Sequence, residues 1–301
     1  PILTDSGGYQ VFSLSNRRSM DDDGVTFRSH IDGSEHRLTP ENVISTQIGF
    51  GVDVAMVLDE CLPYPVALET AERSTELSVE WALRGLRKAQ ALRAGGSEWN
   101  GGVFAIQQGS LVEPLRRRSS EALAEAEFDG YAIGGLAVGE PSEALHDGVS
   151  MAAPMLPAER PRYLMGVGYP EDLLHAVSCG VDLFDCVLPT RSARTGKVFT
   201  SSGDLVIKNA CHADDPRPLD EACGCPTCAT YSRAVLRHLF FANEVTSVVL
   251  LTMHNLWYFL SLMRGAREAI IAGRYTRFRS RVENARGTTA RGRPAPTDNE
   301  R

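Results

Sequence analysis

Val103-Phe104-Ala105-Ile106-Gln107-Gln108-Gly109 is followed by the amphipathic run Glu113–Phe128 and then by Gly130-Tyr131-Ala132-Ile133-Gly134-Gly135-Leu136-Ala137. Two short apolar runs, Val103–Ile106 and Gly130–Ile133, around a helical pattern make a strand–helix–strand unit. Their near-continuous apolar character is what parallel strands buried on both faces require. The pattern repeats outward from this unit. Ile2–Thr4, Val52–Leu58, Arg162–Gly166 and Val181–Val187 read as further strands, and Val66–Arg93, Ser142–Met155 and Pro170–Cys179 as further helices. Alternating strands and helices predict a parallel sheet with helices outside it. Six strands are two short of a (β/α)8 TIM-type barrel; the alternative is an open, doubly wound sheet. Polar residues end nearly every strand, which favours the barrel. The chain opens on Pro1-Ile2-Leu3-Thr4-Asp5 with no initiator Met, so the missing first strands are expected upstream. Gly24–Leu38 alternates polar and apolar residues around Asp32-Gly33 and predicts an inserted hairpin.

Composition narrows the class. Charged residues make up 23% and hydrophobic residues 43% of 301 residues, which excludes disorder of the whole chain. The net charge of −7 argues against binding duplex DNA by charge alone. No apolar run is expected to span a membrane, and no secretory signal pattern opens the chain. Residues 276–301 carry seven Arg against three acidic residues, interspersed with Gly, Pro and Thr. This stretch reads as a disordered basic tail.

Seven cysteines without a secretory signal point to the reducing cytosol. Three of them, Cys223-x-Cys225-x-x-Cys228, have the tight spacing that lets thiolates converge on one tetrahedral ion. A fourth ligand is needed, and His238 and His254 both follow in helical patterns, Ala229–Asn243 and Val245–Gly273. Three Cys and one His make a structural zinc site with no open position.

In a barrel, chemistry collects at the C-terminal strand ends. In chain order these carry Asp5-Ser6-Gly7-Gly8-Tyr9, Asp59-Glu60-Cys61, Gln107-Gln108-Gly109, Gly134-Gly135-Leu136-Ala137, Met165-Gly166-Val167-Gly168 and Asp185-Cys186. Carboxylates and amides read the edge of a planar heterocycle, and Tyr9 and Met165 can sandwich its ring. A single Asp here could equally cap a helix; the whole set is not accounted for by caps. No phosphate-binding Gly-x-x-x-x-Gly-Lys motif is present, and the strand ends carry no His for a Ser-His-Asp set. Two carboxylates at one pocket suit glycosyl chemistry, one as nucleophile and one moving protons.

Asp5-Ser6-Gly7-Gly8-Tyr9-Gln10, Gln108-Gly109-Ser110, Gly134–Glu140, Phe184–Arg191 and the Cys/His set together resemble the bacterial tRNA-guanine transglycosylase family, from Pro1 to about Phe278. The resemblance implies a (β/α)8 barrel with an inserted zinc-binding helical subdomain, working as a cytoplasmic homodimer. It implies exchange of the wobble guanine of G-U-N anticodons for 7-aminomethyl-7-deazaguanine through a covalent enzyme–RNA intermediate, a step of queuosine biosynthesis. Asp185 is then the nucleophile and Asp5 the general acid/base. Ser6, Gly7, Gly8, Tyr9, Asp59, Gln108, Gly135, Leu136 and Met165 bind the base. Gly166, Val167, Gly168, Tyr169, Pro170, Glu171 and Asp172, with Thr190, Arg191, Ser192, Ala193 and Arg194, bind RNA. Cys223, Cys225, Cys228 and His254 hold one structural Zn2+ per subunit. The expected division is a barrel over 1–200, a zinc subdomain with closing helices over 201–278 and the tail over 279–301. The other function of the same fold is a non-catalytic tRNA-binding partner subunit; Asp5 and Asp185 together favour the enzyme.

Overall fold

The computed structural model describes residues 1–12 and 18–287, and its contacts divide them into two compact units. The first comprises Pro1–Met165 and Cys179–Phe184; the second comprises Gly166–Ser178 and the chain from Asp185 onward. This division differs from the expected boundary at 200. The cause is local: Gly166–Ser178 and Asp185–Arg194 pack with the zinc-subdomain residues rather than with the sheet.

The first unit is built on a six-stranded sheet. Its strands are β1 (Leu3–Thr4), β5 (Val54–Met56), β6 (Gly102–Gln107), β7 (Gly130–Ile133), β8 (Arg162–Leu164) and β9 (Leu183–Phe184). Every neighbouring pair is parallel. The order in space is the order in the chain, so every crossover steps the same way. A doubly wound sheet reverses direction at a switch point; this one is singly wound, as in a β/α barrel. Helices α3 (Leu68–Ala94), α4 (Glu113–Glu125) and α5 (Ser142–Ala152) connect the middle strands, and short α1 (Gly8–Phe12) and α2 (Pro40–Gly49) lie between β1 and β5. β1, β5, β8 and β9 are shorter than expected, β7 has the expected bounds, and β6 extends one residue further at each end. The hairpin gains a third strand: β2 (Arg18–Asp21), β3 (Gly24–Arg28) and β4 (Glu35–Leu38) form an antiparallel sheet.

β1 is too short to pair all of β5, and Gln47 of α2 continues the ladder. Its Oε1 accepts from the Met56 N–H at 2.8 Å and from the Thr4 hydroxyl at 3.0 Å, while its Nε2 donates to the Met56 carbonyl at 2.8 Å. A side-chain amide thus stands in for the peptide of a neighbouring strand. α2 is set in place by Thr39, whose hydroxyl accepts from Asn42 N while the Asn42 side chain accepts from Thr39 N. Val43, Leu58, Leu77 and Trp81 pack behind it.

The second unit holds α6 (Pro170–Ser178), α7 (Leu188–Arg194), the hairpin β10 (Lys197–Thr200) and β11 (Gly203–Val206), and helices α8 (Pro226–Thr230), α9 (Arg233–Phe241), α10 (Val245–Ile271) and α11 (Tyr275–Ala285). Its core joins Ala193, Val198, Ile207, Leu219, Leu236 and Leu251. The single helix expected over Ala229–Asn243 is two, because Ser232 starts α9 afresh by accepting from Val235 N.

Two expectations are corrected. The tail does not begin at 279: α11 runs to Ala285, and Arg286 donates to Asp204, Tyr258 and the Thr200 carbonyl. The rest of the expected tail, from 288, lies outside the described residues. α10 is also long and apolar enough, by length and composition, to cross a membrane. Its buried face nonetheless carries Ser247, His254 and Asn255, all bonded to protein, as a core helix does.

Replacing Gln47 by Leu keeps the volume and strands the Met56 N–H and C=O. The expected loss is about 3 kcal/mol, the cost of leaving buried polar groups unpaired, read as a lower urea midpoint at unchanged m-value. An unchanged midpoint rejects the surrogate-strand role.

Candidate active site and metal centre

In the first unit the polar strand ends converge. β1 delivers Asp5, exposed and accepting from the Gln10 amide at 3.1 Å. Ser6 follows, its hydroxyl accepting from Gly8 N. Gly8 then lies against the end of β5: a methyl group there would come within 2.7 Å of both the carbonyl and Oδ1 of Asp59. Asp59 is buried, and its Oδ2 accepts from Gln108 Nε2 at 2.6 Å. Beyond β7, a methyl group at Gly134 would lie 2.7 Å from the Gln108 amide nitrogen, and one at Gly135 2.3 Å from its oxygen. Asp59, Gln108 and the Gly134-Gly135 turn therefore form one contiguous polar cluster.

Burial pushes the Asp59 carboxyl up to about 6, with the Asp5 charge adding to the rise and the Gln108 hydrogen bond opposing it. Leu136 is buried, Met165 follows β8 half-buried, and the Tyr9 ring is exposed. Ala137 N and Val138 N both donate to the Glu140 carboxylate. The peptide between Leu136 and Ala137 is thereby fixed, with the Leu136 carbonyl directed away from Glu140, since C=O and N–H of a trans peptide point oppositely. Glu140 had no role in the sequence reading.

In the second unit Asp185 is exposed and accepts from Gly166 N at 2.7 Å. The loop that starts at Gly166 packs on the same segment: a methyl group at Gly168 would overlap Cys186 Sγ at 1.7 Å. Two groups of expected residues, Gly166–Asp172 and Asp185 with its followers, are thus held together. Not all can meet a ligand with their side chains. Val167, Pro170, Asp172, Ser192 and Ala193 are buried and shape the surface, whereas Thr190, Arg191 and Arg194 of α7 stand exposed and Tyr169 and Glu171 are half-buried.

The sulfurs of Cys223, Cys225 and Cys228 and one nitrogen of His254 lie within 4.8 Å of one another. His254 Nε2 is 2.9 Å from the Phe199 carbonyl, so that nitrogen carries the proton and donates. Nδ1 then turns its lone pair to the sulfurs, 3.3 Å from Cys228 and 3.6 Å from Cys225. Fixing the ring by an outward hydrogen bond is how ligating imidazoles are held. Cys225 accepts from Cys228 N, which keeps the Cys-Pro-Thr-Cys turn closed. Burial raises the Cys223 and Cys228 thiols and lowers the His254 imidazolium. A cation among them reverses the penalty for the thiolates. His238 is not part of the cluster.

A singly wound α/β unit with a carboxylate–amide cluster at its strand ends has the layout of a β/α-barrel enzyme, and the same chain carries a Cys3His cluster that could hold a metal ion. The sequence profile of the queuine tRNA-ribosyltransferase family matches residues 1–288. Relatives of that name are 53% identical over 293 residues in Dinoroseobacter shibae (96% of this chain, 76% of the relative) and 53% over 279 residues in Novosphingobium aromaticivorans (92% and 74%). A third, in Nitratidesulfovibrio vulgaris, is 51% identical over 283 residues (94% and 74%). The chain belongs to the queuine tRNA-ribosyltransferase family.

Two outcomes are expected. Asp59 must be ionised to accept N–H groups from a base, and its raised pKa means protonation begins as pH falls toward 6. Guanine affinity, measured by calorimetry, should therefore fall as pH drops through about 6, and Asp59→Asn should bind weakly with no such pH dependence. The sign for stability is the opposite: the folded state holds this proton more tightly, so the contribution of Asp59 declines from pH 3.8 to about 6 and is flat above. Separately, Cys225→Ala should lose the metal and loosen the helices from α8 onward. Elemental analysis finding one full equivalent of metal in that variant contradicts the assignment.

Proposed function

We propose that this chain is a tRNA-guanine transglycosylase that exchanges the wobble guanine of G-U-N anticodons for 7-aminomethyl-7-deazaguanine, a step of queuosine biosynthesis. Membership of the family supports the activity and tRNA as its substrate. The observation that carries the base assignment is the buried Asp59–Gln108 pair. A carboxylate accepts both N–H groups on the amide edge of guanine, and the neighbouring amide meets its carbonyl edge. The direction of the Leu136 carbonyl supports the aminomethyl base, whose ammonium is a donor in want of an acceptor.

In the proposed reaction an Asp185 oxygen attacks ribose C1′ while the bond from C1′ to guanine N9 breaks. The electron pair leaves on N9, and Asp5 supplies the proton that guanine takes up. The incoming base gives its N9 proton to Asp5, attacks C1′ and releases the Asp185 carboxylate. This is two-carboxylate, retaining glycosyl chemistry applied to a nucleoside. The target base leaves the anticodon stack to be read. Ser6, Gly7, Gly8, Tyr9, Gly135 and Met165 complete the base set, with Tyr9 and Met165 stacking on the ring. The Gly166–Asp172 loop and Thr190–Arg194 take the RNA. Arg191 and Arg194 supply positive charge for its phosphates on an otherwise acidic protein.

The Cys3His set holds Zn2+ in this reading, since thiolates with imidazole are its usual structural ligands. Cys223, Cys225, Cys228 and His254 would hold the ion, and with all four positions taken by protein it would have a structural role. Resemblance supports a cytoplasmic homodimer. The alternative, a non-catalytic tRNA-binding partner subunit, is disfavoured by the presence of both carboxylates.

The test uses a G-U-N anticodon stem-loop. Asp185→Asn should abolish both guanine exchange and the denaturation-resistant protein–RNA adduct trapped with a tight-binding base analogue. Asp5→Asn should bind RNA and fail to exchange. An adduct persisting in Asp185→Asn and lost in Asp5→Asn reverses the two roles, and no exchange by the wild-type chain favours the partner subunit.

A further inference from the structure

Behind the base-reading surface lies a cation that the proposed reaction does not use. Arg116 of α4 is wholly buried. Its Nε donates to the Ser110 carbonyl at 2.8 Å and its Nη1 to the carbonyl and side-chain oxygens of Gln107 at 3.1 and 3.3 Å. Its Nη2 donates to the Gly135 carbonyl at 3.4 Å. These acceptors are uncharged. Burial lowers the guanidinium to about 10, eased by the Glu140 and Cys61 charges, so it stays protonated at neutral pH.

A buried cation without a hydrogen-bonded carboxylate is costly to keep. What it contacts shows a return. Gln107 and Gly135 immediately precede Gln108 and Leu136, the two residues that address the base from β6 and from the turn after β7. A carbonyl fixed on one side of a peptide fixes the following N–H on the other. The Gln107 carbonyl accepts from Gly134 N at 3.0 Å as well as from Arg116, and the two together present Gln108 N to the Ser119 hydroxyl at 3.3 Å. With the Gly135 carbonyl turned to Arg116, the Leu136 N–H points away from the guanidinium. Gly135 has φ +63°, a conformation that needs support to be held in one state. A planar guanidinium can bind several carbonyls at fixed angles, which an ammonium cannot.

We propose that Arg116 is a positioning residue for base recognition: its guanidinium locks the peptide planes at the ends of two adjacent strands, and so the orientation in which Gln108 and the Gly135–Leu136 turn meet the base. The link to the base rests on the proposed function; the link to the turn does not.

The experiment therefore has two readouts on the full chain and on Arg116→Lys and Arg116→Met. The first is amide hydrogen exchange without ligand, and the second is the guanine dissociation constant. In both variants the amides of Leu136–Gly139 should exchange about tenfold faster, and guanine should bind about tenfold more weakly, as for one lost hydrogen bond to a charged group. Amides within β6 and α3 should keep their protection. Arg116→Lys matching the wild type in both readouts overturns the proposal, because charge alone then suffices. Acceleration spread across the sheet also overturns it, by showing a general packing role. Failure of the wild-type chain to bind guanine counts against the proposed function, and the exchange readout then decides the role of Arg116 alone.

Discussion

A parallel strand covered on both faces has nowhere to put a polar side chain except past its ends. Six parallel strands follow one another in chain order in this sheet, the four from β5 to β8 enclosed, so their carboxyl ends gather on one edge. Asp5, Asp59, Gln108 and the Gly134-Gly135 turn are neighbours because β1, β5, β6 and β7 are neighbours. The interior of those strands supplies the burial that makes their ends selective. Ala55, Met56, Ala105, Ile106, Ala132 and Ile133 are almost completely enclosed. Polar groups next to such a core lose water, and the Asp59 carboxyl registers this in its raised pKa.

Chemistry legible in the sequence was chemistry carried by residue type and strand period together. The strand β7 and the starts of helices at Glu113, Ser142 and Pro170 are where the pattern put them. The winding was legible only through the polar strand ends, which favoured the barrel; sequential and doubly wound sheets share one alternation of strands and helices, and the pairing order then separates them. Short elements were missed for a related reason. α1, α2 and α7 and the hairpin β10–β11 are too short to show a period, or lie in polar stretches where tertiary contacts decide. Arg116 left a fainter signal. Leu115, Arg116, Ser119, Ser120 and Leu123 form the buried side of α4, so a cation occupies a helical face the period assigns to the core.

The metal cluster shows how a spacing becomes a geometry. The three cysteines could be read from their separation, yet the choice between His238 and His254 depends on folding. α9 and α10 are separate helices, and His254 reaches the sulfurs because α10 packs its buried face on α7, α8 and β10. The same face places Asn255, which donates to the Pro189 carbonyl and accepts from Phe199 N. Adjacent residues of one helix therefore hold the metal cluster and the start of α7, the helix whose exposed side carries Arg191 and Arg194.

Close approach of backbone is the remaining condition, and it explains why glycine recurs beside the chemistry. Any side chain at Gly8 would collide with Asp59, and any at Gly168 with Cys186. In the first case the turn after β1 is pressed on a buried carboxylate; in the second a loop is pressed on the residue after Asp185. Even alanine must push these segments apart, by an amount comparable to the distance that separates a hydrogen bond from a missed one. Sites assembled from several strand ends are vulnerable to such shifts, since each group is held by a different element. The bonds that cross between those elements, Gln47 at β1 and β5, Gln108 at Asp59 and Arg116 at Gly135, are what join the four ends of β1, β5, β6 and β7 into one surface.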